Sequence, residues 1–175
     1  MAVYKLFPSQ DTTIYSAYQS MNTGLDTILE IKNEVTESGA SPRVSRALIK
    51  FDNNEIKDVI NNKAKTLAVS ASLKGFIAKA TGVIMDSNIE SFPLVNPFNN
   101  GTGRYLDNKI VDNGASWIWY DYSGSNKWKT DGFNSLRTAS FVGSNNAGGG
   151  YWWTGSGGYE WAGTKIGPLE ATQSF

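Results

Sequence analysis

Apolar and polar positions alternate with a period of two over several short stretches of the chain, the spacing of a β-strand whose two faces meet different surroundings. Asp11-Thr-Thr-Ile-Tyr15 is β-branched and aromatic and predicts a strand. Met21-Asn-Thr-Gly-Leu-Asp26 follows, with Asn and Gly where the chain must turn back, and Thr27-Ile-Leu-Glu-Ile-Lys32 resumes a strand. Polar residues 33–42 read as a loop. In Ser45-Arg-Ala-Leu-Ile-Lys-Phe-Asp52, Ala47, Ile49 and Phe51 fall on one face while Arg46 and Lys50 share the other, which predicts a half-buried strand. Ile56, Val59 and Ile60 have i, i+3, i+4 spacing behind Asn54, a residue suited to capping, so a short helix or turn is expected there. Alternation returns at Leu67, Val69, Ala71 and Leu73 and continues past Gly75 to Phe76 and Ala78, predicting the longest strand of the first half. A helix over 64–73 is the rival reading, opposed by Thr66, Val69, Ser70 and Ser72.

Past Gly82 the pattern breaks. Phe92-Pro-Leu-Val-Asn-Pro-Phe98 and Asn99-Asn-Gly-Thr-Gly-Arg104 are rich in turn formers and predict about twenty residues of surface loop. Ser116-Trp-Ile-Trp-Tyr-Asp-Tyr122, Lys127-Trp-Lys129 and Thr138-Ala-Ser-Phe-Val142 are further strand candidates. Between Gly143 and Gly163, Gly, Ser and Asn surround Tyr151, Trp152, Trp153, Tyr159 and Trp161, a composition that reads as loop. Many short strands, long Gly- and aromatic-rich loops and at most one or two short helices predict an all-β sandwich or barrel. A length of 175 residues fits a single domain, with strands in 1–80, a long irregular connection in 81–114 and aromatic, Gly-rich strands and loops in 115–175.

Composition narrows the chemistry. With no His and no Cys, Ser-His-Asp and Cys-His nucleophiles and zinc sites of the usual ligands are excluded. Sixteen basic and sixteen acidic residues sum to zero, so no global field draws in nucleic acid or an anionic membrane surface. No apolar run approaches the roughly 20 residues of a membrane span. The first ten residues lack a secretory leader, so synthesis in a cytoplasm is expected. All six Trp lie between 117 and 161, and 14 of the 18 Gly follow Asn100.

Three segments carry a resemblance. Asp11-Thr-Thr-Ile14, Asn22-Thr-Gly-Leu-Asp-Thr-Ile-Leu-Glu-Ile31 and Ser45-Arg-Ala-Leu-Ile-Lys-Phe-Asp52, followed by 68–73, resemble the DNRLRE domain family over roughly the first half of the chain. The resemblance implies a jelly-roll-like β-sandwich of the kind found in carbohydrate-binding modules and surface-associated proteins. Gly101-Thr-Gly-Arg104, Gly114-Ala-Ser-Trp117, Trp128 with Gly132, and Ala171-Thr-Gln-Ser-Phe175 are similar to segments of virion structural proteins of tailed phages, especially the contractile-tailed phages of marine cyanobacteria. Such relatives are usually longer, so the chain is expected to be either the first part of a longer product or a shortened member.

These features together imply a non-enzymatic virion component of the tail, baseplate, neck or capsid surface, bound to other virion proteins or to copies of itself. The contact candidates are Trp119, Tyr151, Trp152, Trp153, Tyr159 and Trp161, because Trp and Tyr anchor interfaces and also stack on sugars. Trp117 and Trp128 are the candidates for core filling. The alternative is a carbohydrate-binding module contacting host-surface polysaccharide. A small glycosidase, needing only two acids among Asp107, Asp112, Asp121, Asp131 and Glu160, ranks third. No cofactor is expected. Calcium on Asp11, Asp26 or Asp52 is the sole metal option, weighed against turn and strand-end roles for the same residues. Arg46 and Lys50 read as a solvated face or as partners of acids across the strands, with a weak polyanion groove ranked below these. The glycine clusters Gly148-Gly-Gly150 and Gly155-Ser-Gly-Gly158 lead into aromatics rather than the Lys-Ser/Thr of a phosphate loop.

Overall fold

A computed structural model describes residues 2–34, 43–65, 70–79, 88–92, 94, 96–107, 113–128, 136–139, 148–153, 159–161, 164–166 and 171–174, with the strands beyond 130 described by their backbone. The elements these residues form are mostly strands, with one short helix, consistent with an all-β class. The largest sheet has three strands, β1 (Pro8–Tyr15), β2 (Lys32–Glu34) and β3 (Arg43–Phe51), in the antiparallel order β1-β3-β2. Four two-stranded antiparallel ladders follow. They join β4 (Asn88–Ser91) to β11 (Ala171–Ser174), β5 (Trp119–Asp121) to β6 (Asn126–Lys127), β7 (Leu136–Ala139) to β8 (Gly148–Trp153) and β9 (Tyr159–Trp161) to β10 (Thr164–Ile166).

Register decides which face of β1 and β3 meets the apolar core. Thr12 stands opposite Leu48 and Ile14 opposite Arg46, so these four residues share a face. On it Ile14 and Leu48 meet Phe98, Ala115, Trp117 and Trp128, with Val44, Leu94 and Tyr120 packed around them. Trp117 and Trp128 are 3% and 1% exposed, in keeping with the core-filling role. The indole N–H of Trp128 donates to the Ser116 carbonyl at 2.9 Å, so its one polar atom is satisfied inside the core. The alternation in β3 located the strand but not its core face. Leu48 and Arg46 face the core, while Ala47, Ile49 and Phe51 are half-buried on the opposite side.

Between β3 and the second half lies helix α1 (Asn53–Asp58), continued by a π-helical segment, Val59–Ala64, that ends at Lys65 with φ of 53°. Its cap is Asp52, whose carboxylate accepts from the Asn54 backbone N–H at 2.7 Å, rather than Asn54 itself.

Several strand expectations fail. Residues 27–31 have no ladder partner, and β2 begins only at Lys32. Residues 70–79 are exposed coil, with Phe76 98% exposed and Gly75 in open space; 66–69 and 80 lie outside the described residues. Among the described residues no neighbouring strand completes the alternation there, and an unpaired strand leaves its backbone groups to water. The connection 81–114 is not all surface loop either. It contains β4, and Phe98, Gly101, Gly103 and Gly114 are buried.

Candidate functional site

The described side chains converge most densely on Asn22, in the turn after β1. Asn22 is 1% exposed. Its amide donates to the carbonyls of Asn100 and Ala115, both at 2.7 Å, and its side-chain oxygen accepts from the backbone N–H groups of Gly24 (3.2 Å) and Gly103 (2.8 Å). One buried side chain thus satisfies four backbone groups from three segments of the chain. Glycine is required around it. A Cβ on Gly24 would fall on the Asn100 carbonyl, and one on Gly101, which has φ of 74°, would lie 2.5 Å from the Asn22 side-chain oxygen. The turn is tied further by Leu25 N–H to the Gly103 carbonyl and by the Asp26 carboxylate, which accepts from Tyr105 N–H.

A second tie runs from β3 to β8. The Arg46 guanidinium lies 5.0 Å over the Trp117 ring and donates to the Gly149 carbonyl at 2.6 Å. Gly149 lies against the other partner of that pair: a Cβ on it would come within 2.6 Å of the Trp117 ring, and its φ is 75°. Burial lowers the Arg46 pKa to about 10. The solvated-face reading therefore fails for Arg46, whereas Lys50 reaches Gln10 at 3.5 Å.

Near the turn, Tyr15, Tyr18 and Tyr105 form a cluster with ring centroids 5.3 Å (Tyr15–Tyr105) and 6.0 Å (Tyr18–Tyr105) apart. Burial first, then the Glu30 carboxylate, push the Tyr15 hydroxyl well above the usual tyrosine range.

Of the six contact candidates, Trp119 is the one whose side chain is described. It is half-buried on β5, with the Lys127 ammonium 4.8 Å from its ring and Tyr122 edge-on at 5.2 Å. Asp121, on the same hairpin, accepts from Ser123 at 2.6 Å. The other five are placed by backbone alone. Tyr151, Trp152 and Trp153 stand in β8 opposite Thr138, Arg137 and Leu136, and Tyr159 and Trp161 stand in β9 opposite Ile166 and Thr164. The expectation that glycines leave them in loops without strand neighbours is corrected. Gly148–Gly150 enter β8 itself, with φ of 75° and 107° at Gly149 and Gly150 where the register shifts. Trp119 stands on the β5–β6 ladder, whereas the other five stand on the β7–β8 and β9–β10 ladders.

Of the acids weighed for chemistry, Asp112 and Asp131 lie outside the described residues, Asp107 stands 4.0 Å from the Arg104 guanidinium, and Glu160 is paired by backbone with Lys165. Among the described residues no three His, Cys, Asp or Glu side chains converge as metal ligands, and no helix is long and apolar enough to cross a membrane. No protein-family model, no curated protein and no solved structure matches the chain.

Proposed function

We propose that the chain is a non-enzymatic structural subunit of a tailed-phage particle, a jelly-roll-like β-sandwich that acts by packing against neighbouring subunits in the tail, baseplate, neck or capsid surface. The observation that carries this reading is the imbalance of apolar burial. Among the described residues eight hydrophobic side chains are buried, whereas twelve large ones are exposed, including Val3, Phe7, Phe76 and Leu106 at 74%, 76%, 98% and 91%. Burying a large apolar side chain stabilises by about 1.5–3 kcal/mol, so surface of this kind favours association with other subunits. The DNRLRE-like segments and the phage-like segments of the second half support the same reading.

Substitution at the exposed apolar residues tests it. Phe76→Glu and Leu106→Glu are expected to leave the free chain's stability within about 0.5 kcal/mol of the parent, since neither side chain is packed, yet to abolish incorporation into particles. Normal incorporation of both variants would contradict the proposal. A monomeric chain whose Trp fluorescence shifts on adding polysaccharide would instead favour the carbohydrate-binding alternative, with Trp119 the first residue to replace.

A further inference from the structure

The two outer edges of the three-stranded sheet are treated differently. On β3, Val44 exchanges hydrogen bonds with Ser16 at the end of β1: Ser16 N–H donates to the Val44 carbonyl at 2.9 Å and Val44 N–H donates to Ser16 Oγ at 2.8 Å. Backbone groups alternate sides along a strand, so Arg43 and Ser45 direct theirs to β2, bonding Glu34 and Lys32, which stand opposite them. By the same alternation the N–H and C=O of Asn33 point to the outer edge. On the other side of the sheet the outer edge of β1 is plugged, because Thr23 Oγ1 donates to the Thr13 carbonyl at 2.7 Å and accepts from Thr13 N–H at 3.2 Å. Among the described residues nothing of that kind covers β2, whose three residues are all exposed.

We propose that two copies of this chain pair antiparallel through their β2 edges about a two-fold axis at Asn33. In that register Asn33 and Asn33 of the partner subunit exchange both backbone hydrogen bonds. Lys32 then stands opposite the partner's Glu34, and Glu34 opposite the partner's Lys32, on one face of the sheet. The edge sequence is thus complementary to itself in charge only when the two strands run antiparallel, as a two-fold interface requires. Within one chain Lys32 Nζ already lies 2.9 Å from Glu34, with both side chains 44% exposed, so pairing converts a solvated ion pair into a four-charge network. Ile31, 59% exposed and next to the edge, adds apolar area. The joined sheet has three strands from each copy. Open edges are ready templates for such addition. The inference does not depend on the chain residing in a virion.

Sedimentation velocity of the full chain over a concentration series into the millimolar range tests it. The parent is expected to show a reversible dimer that weakens with salt. Lys32→Glu alone and Glu34→Lys alone each place like charges opposite one another at both crossings and are expected to raise the dissociation constant about tenfold. The double variant K32E/E34K restores opposite charges and is expected to recover the parent dimer. Asn33→Pro removes the outward N–H without touching a bond to β3, and is expected to give a monomer with unchanged circular dichroism. A chain that stays monomeric at every concentration, a dimer indifferent to both single reversals, or a double variant no better than the singles overturns the proposal.

Discussion

Asn22 concentrates more long-range structure than any other described side chain. Replacing it with Ala leaves the carbonyls of Asn100 and Ala115 and the N–H groups of Gly24 and Gly103 without their partner inside the molecule. Unsatisfied buried groups cost about 1–3 kcal/mol each, and local relaxation recovers part, so Asn22→Ala is expected to lose about 3–5 kcal/mol. At this chain length that is a fall in melting temperature of about 6–20 °C, measurable by calorimetry. Asn22→Asp is expected to be at least as damaging, because a carboxylate has no hydrogen to donate to two carbonyl oxygens 2.7 Å away. Tyr15 gives a pH signature. Its hydroxyl pKa is raised in the folded chain by burial and by Glu30, so the unfolded chain gives up this proton first as pH rises. The stability linked to it is fully present below about pH 10 and is lost as pH climbs towards the folded value. The difference between parent and Tyr15→Phe isolates the tyrosine: in denaturant melts from pH 9 to 11.5 the parent is expected to lose stability more steeply than the variant.

At the scale of elements, close backbone approach matters more than propensity. Gly24→Ala is expected to destabilise by about 2 kcal/mol or more, since its Cβ meets the Asn100 carbonyl, whereas Gly75→Ala, with open space around it, is expected to be neutral or slightly stabilising. Asp52→Ala removes the cap of α1 and is expected to cost about 1 kcal/mol. Paired urea melts distinguish these three outcomes. The same elements show how far the sequence could be read. β1, β3, α1 and the turn at 21–26 were legible because their signals are local: β-branched runs, helical spacing, Asn and Gly at a reversal. The core face of β3 is not legible in this way, because nothing local to Arg46 shows that its guanidinium packs on Trp117 and bonds a carbonyl 103 residues away. Residues 70–79 alternate like a strand but have no ladder partner among the described residues, and partnership is not written in a strand's own residues. Asn22 was legible as a turn former. Its partners at Asn100, Gly103 and Ala115 were not, since nothing near Asn22 in the chain points to them, although the glycines crowded after Asn100 were a hint of backbone in close contact.

For the whole molecule, the three-stranded sheet, the turn at Asn22 and residues 98–107 and 113–128 form one interlocked body. Arg46 extends it to Gly149, and β4 pairs with β11. Of the contact candidates, Trp119 is now on a hairpin with Lys127 and Tyr122, and the other five stand in paired strands rather than in loops. A body held internally by aromatic packing and a buried amide, with large apolar side chains left outside, is suited to assembly. The proposed β2 pairing would be one such contact, and the exposed side chains of Phe76 and Leu106 are proposed as others. Quantitative mass spectrometry of purified phage particles from a lysate of cells carrying this gene tests the assembly role most directly. The chain is expected in a fixed, multi-copy ratio to the major structural proteins through successive gradient steps. Its absence from particles, with the protein recovered free in the lysate, would contradict that role.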